Sequence, residues 1–260
     1  LFSVLNHFNF LSILGYLALS ASWLGFAYYA GRLIPHQQLW FALLVTFSFG
    51  LPIYFAAIYA VTIQRIYLSS QFQKLGILHW LFTRRILAYI WWMLWSVIFA
   101  FLLLFYLGAA EKQEWVIFFA TIPAFAVIYT VFFPIAAREY KPYIAVHKSL
   151  AWSRRITTLL MAVCFVAFIN HSDPNRQYAS LTEAVAMESQ KLDGATNSIL
   201  ILETNRLLGF IEGLKRYALS SLHSFNDTLY LGLVFLGSLL FFYNVALGIS
   251  SFMVPLAEYR

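Results

Sequence analysis

The sequence predicts an all-α protein, a polytopic transmembrane bundle of about six helices with an amphipathic helical extramembrane insertion before the last span. Two observations carry this expectation. Charged residues make up 11% of the 260 residues and hydrophobic ones 62%, whereas soluble domains carry roughly 25% charge. The charges also gather into a few short stretches, leaving apolar runs that match the ~20 residues of helix a hydrocarbon core needs.

The first span reads Phe10 to Ala30 and the second Leu39 to Ile63, joined by a short connection with Arg32, Pro35 and His36, as in a tight hairpin. Segment Gln64 to Arg85 follows. It places Leu68, Phe72, Leu75 and Phe82 near one helical face, with Arg65, Lys74, Arg84 and Arg85 available to lipid headgroups, the pattern of an interfacial amphipathic helix. Ile86 to Ala110 and Trp115 to Ala137 form the third and fourth spans, separated by Glu111, Lys112, Gln113 and Glu114. The next connection, Arg138 to Arg155, is strongly basic. The fifth span, Ile156 to Asn170, has only 15 residues, short for a bilayer at ~1.5 Å of rise per residue. Thr228 to Pro255 is the sixth.

Three regions result: residues 1–170 with five spans and two basic connections, 171–227 as the insertion, and 228–260 as the last span with a short end. Lys and Arg number four and five in the second and fourth connections against one each in the first and third. By the positive-inside rule both termini are expected in the cytoplasm and residues 171–227 outside it. The first apolar run is too long for a cleavable signal peptide and lacks a basic leading region.

The insertion reads as helical. Ser180 followed by Glu183 fits a capping box. Leu181, Val185, Leu192, Ala195, Ile199 and Leu202 recur at three- and four-residue spacing, and Leu207, Ile211, Leu214, Ala218 and Leu222 resume it after a small phase shift. This is an amphipathic stripe. Asp193 and Gly194 suit a turn between two helices.

Several chemistries lack their residues. With the fifth span starting at Ile156, no span carries Asp, Glu, Lys, Arg or His in its interior, which argues against embedded proton relays and voltage sensors. The six histidines, His7, His36, His79, His147, His171 and His223, fall at span ends or in connections, so neither an embedded haem nor a zinc pair of HExxH type is expected. Cys164 is the only cysteine, which excludes an intramolecular disulfide and a cysteine-rich metal site. No TVGYG filter, nucleotide-binding glycine loop or GxSxG setting appears. No cofactor is expected. The two Asn-x-Ser/Thr matches, at Asn170 and Asn226, abut the membrane and leave no room for a glycan.

The leading functional expectation is a non-catalytic subunit of a larger membrane or envelope assembly, with Leu181, Val185, Leu192, Ile199, Leu202, Leu207, Ile211 and Leu214 as its docking surface. Next comes a channel or transporter component for a neutral or lipid-like substrate. There Pro52, Pro123 and Pro134 shape a cavity, and Asn244 is a helix-packing or pore-lining polar group. A membrane sensor module is third. A lipid-headgroup enzyme built on His79, Arg84, Arg85, Arg138, Glu139, Tyr140, Lys141, His147 and Lys148 is last. Arg84, Arg85, Arg154 and Arg155 are assigned to headgroups. Expected partners are the lipid bilayer and other membrane subunits or further copies of the chain, not nucleic acid.

Overall fold

A computed structural model describes residues 10–33, 39–69, 86–172, 178, 180–192, 199–220 and 225–254, and the described residues are helical almost throughout. The helices are α1 (Phe10–Leu33), α2 (Leu39–Ser69), α3 (Ile86–Ala109), α4 (Lys112–Glu139), α5 (Pro142–Ser172), α6 (Leu181–Leu192), α7 (Ile199–Ser220) and α8 (Phe225–Ser251). Six of them, α1 to α5 and α8, are long and apolar enough to cross a membrane. The chain is therefore an integral, multi-pass membrane protein. Most of the interfacial segment expected over Gln64 to Arg85, including Arg84 and Arg85, lies outside the described residues, as do Asp193 and Gly194.

The fifth helix differs most from expectation. It starts at Pro142, and its apolar stretch runs from Ile144 to Phe168, 25 residues long. The reason is local. Proline disfavours helical backbone at the residue before it, here Lys141, and suits the first helical position; α4 ends at Glu139, Tyr140 is extended (φ −120°, ψ 155°), and α5 starts at Pro142. The charges at Lys148, Arg154 and Arg155 interrupt the apolar pattern without interrupting the helix. Arg154 and Arg155 thus lie inside a long apolar helix, and the expectation that spans are free of ionisable residues fails at α5.

The six long helices pack as a ring in the order α1, α3, α2, α8, α5, α4 and back to α1. The expected α1–α2 hairpin is consequently loose, because α3 stands between its two arms. Glycine permits the α1–α3 approach: a Cβ on Gly31 would lie 2.8 Å from the Gly108 nitrogen. Trp23 of α1 still reaches α2, stacking on Phe49 at 4.4 Å between ring centroids and donating its indole N–H to the Phe49 carbonyl at 3.0 Å.

Aromatic rings fill the core. Phe118 of α4, Phe165 of α5 and Phe242 of α8 meet with centroid separations of 5.5 to 6.0 Å, and all three are buried. Such contacts contribute about 0.5–1.5 kcal/mol per pair beyond area burial. That matters in lipid, where packing replaces the hydrophobic drive between helices. Large apolar side chains such as Phe47, Phe55, Leu94, Val127, Leu159 and Leu240 are exposed on the outside of the ring and form the surface for hydrocarbon.

Candidate functional site

The insertion folds as two helices packed closely on each other. At its start the Ser180 hydroxyl accepts the Glu183 backbone N–H at 3.2 Å, a helix cap of the kind its spacing predicts. Gly209 and Gly213, one turn apart on α7, let α6 approach. A Cβ on them would lie 2.7 Å from the Cα of Ser189 and 2.6 Å from that of Val185.

Helix α7 turns an unexpected face inward. Ile201, Thr204, Asn205, Leu208, Glu212 and Lys215 are buried, and their spacing of three and four residues makes them one stripe. The apolar stripe lies beside it and looks outward: Leu207, Phe210 and Ile211 are 47%, 45% and 38% exposed. The exposed Glu203 and Arg206 pair at 2.7 Å along the same outward face.

The inward polar face closes an ion-pair cluster at the end of the bundle where α3 meets α4. Lys215 Nζ donates to Glu114 Oε1 at 2.6 Å and pairs with Glu212 Oε2 at 2.6 Å. Arg216 pairs with Glu111 and reaches Glu188 at 3.2 Å. Tyr178 donates to the same Glu188 carboxylate at 3.3 Å. Glu114 also accepts the backbone N–H of Glu111 at 3.1 Å, fixing the first turn of α4. The Lys215 ammonium stands 5.6 Å from the Tyr106 ring centroid and 5.8 Å from that of Phe165, within cation–π range.

Burial alone would drive Lys215 down, but Glu212, Tyr106 and Glu114 together hold it well above its ordinary value. Lys215 therefore stays charged. Burial pushes the Glu212 carboxyl up against the pull of Lys215. Burial likewise opposes the charge on Arg216, while Glu111 and Glu188 raise it above the usual value. Breaking such a buried pair costs about 3–5 kcal/mol, so the cluster acts as a latch between insertion and bundle.

Beneath the latch lies a groove of about 310 Å³ between α3, α7 and α8. It is almost wholly apolar, lined on α7 by Leu207, Ile211 and Leu214, on α3 by Phe99 and on α8 by Leu233. Its size falls in the lower part of the range for ligand pockets, about 300–1,000 Å³. Asn244 sits at its wall and donates to the Leu240 carbonyl of its own helix at 2.8 Å. No family model, curated protein or solved structure matches this chain.

The predicted docking residues separate. Val185 packs into the α6–α7 contact, Leu181 and Leu202 are half-buried, and Leu207, Ile211 and Leu214 share the groove. Leu192 and Ile199 bound the two helices, and their side chains lie outside the described residues. Of the headgroup arginines, Arg155 is exposed and Arg154 is buried. Among the described residues, His, Cys, Asp and Glu form no group that would hold a metal ion.

Sequence reasoning missed the latch. Its visible signal was Glu212 and Lys215, spaced i, i+3 and set one position beside the apolar stripe. Glu111 and Glu114 read as an ordinary polar turn.

Proposed function

We propose that this chain is a lipid-handling component of a membrane, one that holds a lipid-like molecule in the groove between α3, α7 and α8 and passes it on as part of a transport process. The observation that carries the reading is the outward turn of α7. Its apolar residues Leu207, Phe210 and Ile211 stand exposed beside the exposed apolar residues of α8, Leu233, Leu236 and Leu240. An apolar face turned outward next to a bilayer-facing helix suits contact with acyl chains, as in interfacial amphipathic helices. The groove opens along that same surface, and the latch holds α7 in place as its roof.

A glycine supplies the test. A Cβ on Gly237 meets nothing within 4 Å, and Gly237 lines the groove, so Gly237→Trp should plug it without disturbing the packing. Native mass spectrometry of the detergent-solubilised chain should show co-purified lipid on the wild type and its loss from G237W. Wild-type protein free of lipid, or equal retention by the plugged variant, ends the proposal.

The same exposed face favours a second reading, a subunit of a larger assembly whose partner covers Leu207, Phe210 and Ile211. That reading expects a stable complex heavier than the monomer after mild solubilisation, and its dissociation by Phe210→Glu.

A further inference from the structure

Helix α5 carries a buried cation that nothing among the described residues neutralises. Arg154 is 7% exposed. No carboxylate lies within ion-pairing distance of it among the described residues, and its Nε has no hydrogen-bond partner. Among the described residues, the titratable groups that interact with it are the Tyr243 phenol, Arg155 and His147. Around it on the inward side of the same helix are Ser153, Thr157 and Thr158, whose buried hydroxyls also lack partners, and His147, whose Nδ1 is buried and unpartnered.

The depth of Arg154 follows from ring contacts. Phe132 meets Trp152 at 5.7 Å and Phe118 meets Phe165 at 5.9 Å, so α4 and α5 run antiparallel in steady register. Arg154 then stands level with Tyr129 and Thr130, roughly 12 Å along the axis from Arg138 at 1.5 Å per residue. At this level α4 exposes Val127 and Val131 on the outside of the bundle. An apolar surround makes an uncompensated guanidinium costly by several kcal/mol. Water would satisfy the hydroxyls but would leave the charge unbalanced.

We infer that Arg154, with Ser153, Thr157 and Thr158, forms a buried binding site for a phosphate-type oxyanion. The guanidinium donates only and the three hydroxyls can turn to donate with it, while a tetrahedral oxyanion accepts from several directions and supplies the missing charge. The route to the site is itself basic. Arg138, Lys141 and Lys148 are exposed at the end of the bundle where α5 begins, and such a cluster concentrates anions. The anion is either free phosphate or the phosphodiester of an anionic lipid that reaches in from that end. The site shares no residue with the groove, so it stands or falls apart from the lipid-handling proposal.

The experiment places the full chain in phosphatidylcholine nanodiscs and follows thermal unfolding. One arm adds inorganic phosphate against chloride at equal ionic strength, and the other replaces part of the phosphatidylcholine with phosphatidylglycerol. A saturable rise in the unfolding midpoint is expected in one arm, and that arm names the source. Arg154→Gln should weaken the apparent affinity about 10- to 100-fold, the loss of a charge-assisted hydrogen bond. Thr157→Val keeps the cation and the volume and should give a smaller loss in the same direction, so it decides the matter if R154Q does not fold. The inference is overturned if neither arm stabilises the wild type, or if both variants respond as the wild type does.

Discussion

Lys215 and Glu114 lie 101 residues apart and meet at 2.6 Å with both side chains buried. This contact ties the insertion to the start of α4. Lys215→Met removes the cation that pairs with both Glu114 and Glu212 and leaves two buried carboxylates without their shared partner. A loss of about 3–5 kcal/mol is expected in equilibrium unfolding in mixed micelles. The triple variant K215M/E114Q/E212Q carries no buried charge at this point and should recover most of that loss. A single variant as stable as the wild type would mean that the latch contributes nothing.

The same cluster makes stability depend on pH with a definite sign. Burial raises the Glu212 carboxyl above its ordinary 4.5, so the folded state holds this proton more tightly than the unfolded one. Stability from this group is full below 4.5 and is lost as pH rises through the folded value. Lys215 is also raised, from 10.5, so its contribution is full below 10.5 and fades only at still higher pH. Within the cluster, the decline that starts above 4.5 therefore belongs to Glu212. Measured from pH 4 to 8, the unfolding midpoint of the wild type should fall relative to that of Glu212→Gln.

The apolar runs made the six long helices legible, because a hydrocarbon solvent imposes length and composition together. Composition does not encode neighbours. The close approach of Gly31 and Gly108 brings α3 against α1, and nothing in a span's composition says which of its glycines meets a neighbouring helix. The start of α5 was hidden because Lys148, Arg154 and Arg155 lower the local hydropathy, although Pro142 marked the helix start. The insertion was legible as two helices but not as to which face turns in. Helical spacing finds a stripe, and whether that stripe meets a core or lipid depends on the solvent around it.

Gly108→Ala and Gly15→Ala should move stability in opposite directions. At Gly108 a Cβ would run into the backbone of Gly31, with the Gly31 Cα only 3.0 Å away. The α1–α3 pair would have to separate, at a cost of about 1–3 kcal/mol for overpacking. At Gly15 a Cβ meets nothing within 4 Å, and the same change should be neutral or stabilise the helix by up to about 1 kcal/mol. Thermal unfolding of the two variants side by side checks this. Equal destabilisation would show that the glycine contact does not set the helix spacing.

Trp23 joins three helices at once, which makes its energetics coupled to its neighbours. Its indole is bonded to and stacked on Phe49 of α2, and its far edge covers Gly248 of α8, where a Cβ would lie 2.7 Å from Cζ2. Gly248→Ala should push the ring off Phe49 and break a hydrogen bond of about 1 kcal/mol as well as the stack. Trp23→Phe loses the same hydrogen bond but frees the space that the alanine methyl needs. The double variant should therefore be less destabilised than the sum of the single ones, by a coupling of about 0.5–3 kcal/mol. Additive losses would place Gly248 outside this contact and leave Trp23 as a bridge between α1 and α2 alone.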